Sequence, residues 1–344
     1  MSARRAREIL LAGDVGGTKT VITALATDPR SPRRIAETEY ESRRHGGLDE
    51  ILTDFLDRHS LPGDSVRLTR ACFSVAGPVS DVGHALITNL GWHLDGDLLA
   101  NDFGLTSVQL VNDLQATAYA VPWLPAQQLH TLQTGVPSID APRAVIAPGT
   151  GLGEAFLVRQ GARWEALPSE GGHANFAPAD DLQLEMLRFL QEQLGHVSYE
   201  QVCSGIGIPN IYRFLKETGV EREPAWLAER LAGVEDPTPV IGETALGEGA
   251  RSCRLCERTI NLFLAVLASE AGNMALRLLC TGGVYVGGGI PPRLLPLLDG
   301  ERFMTAFRSK GRFSSLMSVF PLHVILDPRA ALLGAVQYAI ASTD

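Results

Sequence analysis

Two apolar runs, Ile9 to Ala12 and Val21 to Leu25, flank Gly13-Asp14-Val15-Gly16-Gly17-Thr18 near the start of the chain. Short runs rich in branched residues, broken by glycines, predict a β-hairpin over residues 8–25. The same arrangement returns over residues 143–158, where two further apolar runs flank Pro148-Gly149-Thr150-Gly151-Leu152-Gly153. It is a weak internal repeat: strand, glycine turn with threonine, strand. Between the copies, Leu48, Ile51, Leu52, Phe55 and Leu56 are spaced at i, i+3, i+4, i+7 and i+8, which predicts one amphipathic helix. Strand-like runs follow at 71–75 and 108–111, the second passing through Asn112-Asp113 into a helix-compatible stretch at 114–120.

Beyond the second glycine turn, Leu182, Met186, Phe189 and Leu190 share a helical face that stops at Gly195. Ser198 and Gln201 have the spacing of a capping box, which predicts a helix start there. Residues 221–248 are rich in proline, glycine and acids and read as a connecting excursion with one short helix at 226–231. The longest apolar segment, 260–279, is interrupted by Glu270, Asn273 and Arg277 and reads as a buried core helix rather than a bilayer span. A short strand then runs into Gly287-Gly288-Gly289.

With 344 residues, 45% hydrophobic and 20% charged, the chain can bury a core and suits two domains, which excludes a disordered or membrane-spanning protein. A net charge of −9 disfavours nucleic acid as a partner. Five cysteines are too few and odd in number for a disulfide framework, so a reducing cytosol is expected. Arg4, Arg5 and Arg7 look like the start of a leader, but the apolar stretch behind them ends at Asp14, too short for export.

Glycine turns let backbone N–H groups approach phosphate oxygens, because no Cβ stands in the way. Two such turns and a third glycine cluster suggest a polyphosphate ligand, although each turn alone is also an ordinary hairpin. The chain has neither G-x-x-x-x-G-K-[ST] nor G-x-G-x-x-G between a strand and a helix, so P-loop and Rossmann sites are disfavoured. Asp14 suits either a hydrated divalent cation or an Asx turn. Asn112-Asp113, at a strand-to-helix junction, suits either a helix N-cap or a catalytic pair in which Asp113 takes a proton from a hydroxyl. Glu170-Gly171-Gly172-His173 puts a carboxylate and an imidazole on one loop, which suits either wrapping a polyol or ordinary solvated loop residues, and no further ligands stand close by for a metal. Cys253-Arg-Leu-Cys256 has C-x-x-C spacing but no second pair, and reads as helix packing rather than zinc.

Together these segments resemble the bacterial glucokinases of the hexokinase, actin and heat-shock ATPase superfamily. The resemblance spans the whole chain in six ordered blocks: Gly13 to Thr18, Leu110 to Asp113, Pro148 to Gly153, Leu167 to His173, Gly195 to Gly205 and Gly282 to Gly289. It implies an α/β, two-domain, duplicated ribonuclease-H-like (actin-like ATPase) fold with an interdomain cleft. The small domain would be 1–122 plus 327–344 and the large one 123–326, residues 327–344 returning as a helix containing Gly334. It further implies ATP-dependent phosphorylation of D-glucose at the 6-hydroxyl, with Asp113 as base and Asn89, Asn112, Glu170, His173 and Glu200 around the sugar. Gly16, Gly17 and Thr18, with Gly149, Thr150 and Gly151, would face the phosphates, and Gly287, Gly288 and Gly289 the adenosine. Asp14 would hold Mg²⁺, through water. A cytoplasmic homodimer is the family expectation. The alternatives are a kinase for another hexose or amino sugar, or a non-catalytic sugar-sensing regulator. Lys19 departs from relatives with asparagine there, and the cysteine-rich zinc motif of the related repressor and sugar-kinase branch is missing.

Overall fold

The computed structural model describes residues 7–26, 32–61, 66–80, 82–247 and 251–341. Arg4 and Arg5 of the leader-like start, and Glu248 of the connecting excursion, lie outside the described residues. The chain forms two compact units, Met1–Leu124 with Arg329–Asp344, and Pro125–Pro328.

In the first unit β1 (Arg7–Val15), β2 (Lys19–Ala26), β3 (Arg33–Glu41), α1 (Leu48–Arg58) and β4 (Val66–Val75) come in order. A ribbon of β5 (His84–Ile87) and β6 (Trp92–Asp95) follows, then α2 (Gly96–Asp102), β7 (Ser107–Asn112) and α3 (Asp113–Ala120). The main sheet has the order β3-β2-β1-β4-β7, antiparallel through β3, β2 and β1 and parallel through β1, β4 and β7. Both faces are covered, which is why β1 is apolar at every position from Ile9 to Ala12 rather than alternating. Ile9 and Leu11 join the cluster that contains Leu48, Ile51, Leu52 and Phe55 of α1. Leu10 and Ala12 face the other way, into a cluster with Ala116 of α3 and Ala335 and Ala339.

The second unit contains β8 (Leu129–Gln133), β9 (Arg143–Pro148), β10 (Leu152–Gln160), β11 (Arg163–Ser169), α4 (Asp181–Leu194), α5 (Gly207–Glu217), α6 (Ala225–Ala232) and α7 (Thr238–Ala245). Then come α8 (Arg254–Arg277), β12 (Val284–Val286), α9 (Leu295–Leu298), α10 (Glu301–Arg308), α11 (Ser314–Met317) and β13 (Leu322–Ile325). The sheet order is β11-β10-β9-β12-β13-β8. Its first five strands repeat the first unit in order and direction, with β8 added antiparallel at the edge. The weak repeat in the sequence is therefore a duplicated unit. α8 is long and apolar enough to cross a membrane by length and composition, but 72% of its most apolar window is buried, and it packs against α5, α7 and α10.

The last helix, α12 (Ala330–Ala341), packs on α3 and β1 in the first unit. Contact is close because residue 334 is glycine: a Cβ there would overlap the Ala116 carbonyl oxygen on α3. Tyr338 and Tyr119 stack beside it with ring centroids 3.9 Å apart. Helix propensity favours alanine by about 1 kcal/mol. The overlap outweighs it, so Gly334→Ala is expected to cost about 1–3 kcal/mol of stability. Denaturant titration checks this, and an unchanged midpoint would mean that the helices can part freely.

Two expectations fail. The capping-box spacing at Ser198 starts no helix; residues 198–206 are turns and α5 begins only at Gly207. The backbone there is engaged elsewhere, Tyr199 N–H on Ala174 O (3.0 Å), Glu200 N–H on Gly172 O (2.8 Å) and Gly205 N–H on Gly149 O (2.7 Å). The excursion holds two helices rather than one. α7 escapes detection because its eight residues turn only Val240, Ile241 and Thr244 inward, against α8. The core helix also starts earlier than its apolar run, at Arg254, with Cys253 at its N-cap position and all five cysteines buried and free.

Candidate functional site

In the first unit the candidate residues sit where the parallel strands end. Register aligns Asp14 of β1 with Ser74 of β4, and Val75 of β4 with Asn112 of β7, so the carboxyl ends of three strands meet. Ser74 Oγ donates to Asp14 Oδ1 at 3.0 Å. Asn112 is the N-cap of α3: its Oδ1 accepts from Leu114 N–H (3.0 Å) and Gln115 N–H (3.2 Å), and its Nδ2 donates to Gly77 O (3.1 Å). The capping role open at the sequence level is thus realised, and the Asn112 amide also hydrogen-bonds the Asp113 carboxyl, so its groups are engaged within the protein.

Asp113 is the first residue of α3 and its Oδ1 accepts from Leu114 N–H at 2.8 Å. Burial first, and the negative charge of Asp14 second, push its carboxyl up to about 6, against the helix-start hydrogen bonds that lower it. Burial likewise raises the Asp14 carboxyl, with Ser74 opposing. Neither aspartate owes its shift to a lysine or arginine among the described residues. Two neighbouring half-buried carboxylates without a cation are a donor set that a hydrated Mg²⁺ fits, because that ion takes one or two carboxylates and keeps its remaining waters.

The turn after Asp14 closes by Gly16 N–H on Lys19 O at 2.9 Å. Ser42 pins it, its Oγ donating to Gly16 O (2.7 Å) and its N–H to Thr18 O (3.0 Å). The Gly16 N–H is therefore used inside the turn. Asn89, in the turn between β5 and β6, lies against Gly17: a Cβ on Gly17 would stand 3.3 Å from Asn89 Cβ. Lys19 turns to the sheet surface and pairs with Glu39 at 2.7 Å.

In the second unit the matching turn closes by Gly149 N–H on Gly151 O at 2.9 Å, so here too the first glycine N–H is used internally. Next to it, Glu200 Oε2 accepts from Leu152 N–H at 2.9 Å, and a Cβ on Gly151 would overlap that same oxygen. His173 lies between two carboxylates, Nδ1 at 4.0 Å from Glu200 Oε1 and Nε2 at 3.9 Å from Glu170 Oε2. Glu170 is exposed and Glu200 is mostly covered. The structure thus brings Glu170, His173 and Glu200 together beside the second glycine turn.

β9 and β12 are parallel neighbours, and Gly287 N–H continues their pairing on Ile146 O at 2.8 Å. Gly288 follows at φ +83°, with Pro148 O where a Cβ would stand, so only glycine fits. Gly149, Thr150 and Gly289 open onto a pocket of about 480 Å³ with Ile208, Pro239, Leu246, Ile260, Ile290 and Leu294 as apolar lining. Asp236, Thr238, Glu243 and Arg293 supply its polar groups. An apolar slot with few polar groups beside a glycine turn suits a nucleoside whose phosphates lie on the turn. The α7 residues of this pocket, and Ser74, carry no signal in the sequence.

The family model described as Glucokinase matches residues 11–342. The glucokinase of Nostoc punctiforme is 38% identical over 340 residues, 95% of this chain and 97% of that one. That of Trichormus variabilis is 39% identical over the same length and coverage. Among solved structures, a glucokinase from an Antarctic psychrotroph superposes with a TM-score of 0.82 at 30% identity, over 97% of this chain and 99% of that one. On its sequence over residues 11–342, and on its duplicated fold, the chain belongs to the glucokinase family.

Proposed function

We propose that the protein transfers the terminal phosphoryl group of ATP to the 6-hydroxyl of D-glucose, giving glucose 6-phosphate and ADP, with Asp113 as the general base. The observation that carries this reading is the Asp113 carboxyl, lifted to about 6 at the end of β7 by burial and by Asp14. It is ionised at neutral pH yet basic enough to take the hydroxyl proton as the sugar oxygen bonds to phosphorus and the bond to ADP breaks. Phosphoryl transfer depends mainly on alignment and charge neutralisation. Gly17, Thr18, Thr150 and Gly151 supply backbone donors for the phosphates, and the pocket beside Gly289 takes the adenosine. Asp14 would hold Mg²⁺ through water, and the ion when bound neutralises phosphate charge.

Asn112, Glu170, His173 and Glu200 would take the other hydroxyls of the sugar, with Asn89 bordering the sugar. The five buried thiols suit a reducing compartment, and the cytosol is the proposed location. ADP release from purified protein with Mg-ATP, with and without glucose, tests the reading: release that requires glucose is expected, and none would favour a sugar-sensing regulator. Sites that pair each hydroxyl reject analogues by ~10⁴ or more. Galactose, altered at C4, is therefore expected to be a poor substrate, and comparable kcat/KM for the two sugars would contradict the assignment.

A further inference from the structure

The second unit holds a group of charges, built around two buried carboxylates, that phosphoryl transfer does not use. Glu154 on β10 is 1% exposed, and neither of its carboxylate oxygens has a hydrogen-bond partner among the described residues. On α8 the fully buried Glu270 accepts from Arg277 Nη1 at 2.6 Å and from Asn273 Nδ2 at 2.8 Å. Arg277 Nη1 lies 3.6 Å from Glu154 Oε2. Lys310 closes the group, donating to Asn273 Oδ1 at 2.7 Å and Ser269 O at 2.8 Å. A buried carboxyl with neither oxygen hydrogen-bonded is rare in native proteins and calls for a reason.

The reason lies above it. A Cβ on Gly171 would overlap Glu154 Oε2, and one on Gly172 would overlap the Leu152 carbonyl two residues earlier on the same strand. The loop between Glu170 and His173 therefore lies flat on β10, with Gly171 seated on the Glu154 carboxyl. Ser169, paired across from Glu154, fixes the near end by accepting Gly171 N–H on its Oγ at 3.0 Å. The same α8 group reaches the third sugar candidate, since Asn273 Nδ2 also lies 3.2 Å from the hydroxyl of Tyr199, the neighbour of Glu200.

We propose that Glu154 is a positioning residue for sugar recognition, a buried post that carries Gly171 and so sets where Glu170 and His173 stand. The inference rests on the reading that Glu170, His173 and Glu200 hold the sugar. Glu154 itself touches no substrate; it acts through the loop. Arg277 and Glu270 face it from α8, Cys203 from the turns before α5, and Ser169 from β11, while Lys310 acts on Glu270. Burial, and then Glu270, lift its carboxyl to about 7 against the pull of Arg277, so the charge under the loop changes near neutral pH.

The test combines glucose binding by calorimetry with steady-state kinetics on the intact protein. Glu154→Ala is expected to weaken glucose binding and raise its KM by ~10-fold or more, because a displaced loop misplaces two ligands, while KM for ATP changes about twofold or less. Gly171→Ala is expected to weaken glucose binding as well, but much less when Glu154 is already alanine, since the overlapping oxygen is gone. Glu154→Gln keeps the shape and is expected to match the native protein at low pH, yet to lack the change in glucose affinity near pH 7 expected of the native protein. A folded Glu154→Ala that binds glucose as the native protein does, or that loses glucose and ATP affinity equally, overturns the proposal. If that variant does not fold, identical pH profiles for the Gln variant and the native protein overturn it. Native protein that neither binds nor phosphorylates glucose would instead sink the reading of the site, and this inference with it.

Discussion

Asp113→Asn is expected to lower kcat for glucose phosphorylation by ~10²–10⁴ while leaving glucose affinity nearly intact, because it removes a positioned base and little of the binding surface. Asparagine retains an oxygen for the Leu114 N–H, so the start of α3 keeps its geometry. In the native protein kcat should fall as pH drops through about 6, since only the ionised carboxylate accepts the proton. The variant should show no such limb.

Stability should move the other way. The folded-state value of Asp113 is raised above the ordinary carboxylate value, so the folded protein binds its proton more tightly than the unfolded chain does. The ionised carboxylate thus opposes folding, in full above about pH 6, and the penalty fades as pH falls towards the unfolded value. Because the group is only half-buried, the asparagine variant should gain about 1–2 kcal/mol at neutral pH rather than the roughly 3 kcal/mol of a two-unit shift. Turnover and thermal melts on one preparation check both halves. Near-native turnover would remove Asp113 from the role of base, and a lower Tm would remove the claim of an uncompensated charge.

Glu200→Ala carries the second large effect. Glu200 Oε2 holds the Leu152 N–H beside the glycine turn, and Oε1 faces His173 at 4.0 Å. Its loss removes one proposed sugar contact and leaves a half-buried N–H without its charged acceptor, each costing about 1.5–3 kcal/mol. The lost contact predicts a fall of ~10–10² in kcat/KM for glucose, with much of it in KM, while the unpaired N–H, present with and without sugar, costs stability instead. Initial rates over a wide glucose range measure the split. A variant with native KM for glucose would mean that this carboxylate serves the turn alone.

How much of this could be read from the chain differs from residue to residue. Hairpins broken by glycines at Gly16 and Gly149 were legible because their local chemistry and the repeat pointed the same way. Strand β3 was not, since Arg33–Glu41 exposes most of its charged positions and gains its order from edge pairing with β2. The Ser198 spacing misled because a capping box is a local preference, and here the same backbone bonds to loop 172–174 and to Gly149 instead. The partial commitment of Asn112 to capping, and the internal use of the Gly16 and Gly149 N–H groups, needed atomic positions to be seen.

By itself the sequence determined the elements whose signal is local: the apolar period of α1, the glycines where a side chain would block a turn, and the six ordered motifs that mark the family. Tertiary structure alone decided which distant residues share an environment. Asp14, ninety-nine positions from Asp113, comes to raise its carboxyl only because β1, β4 and β7 run parallel and end together. Glu154 comes to lie under Gly171 only because β10 and β11 pair in one register. Charge and burial act through space, and spatial neighbours are set by strand order, which no local pattern encodes.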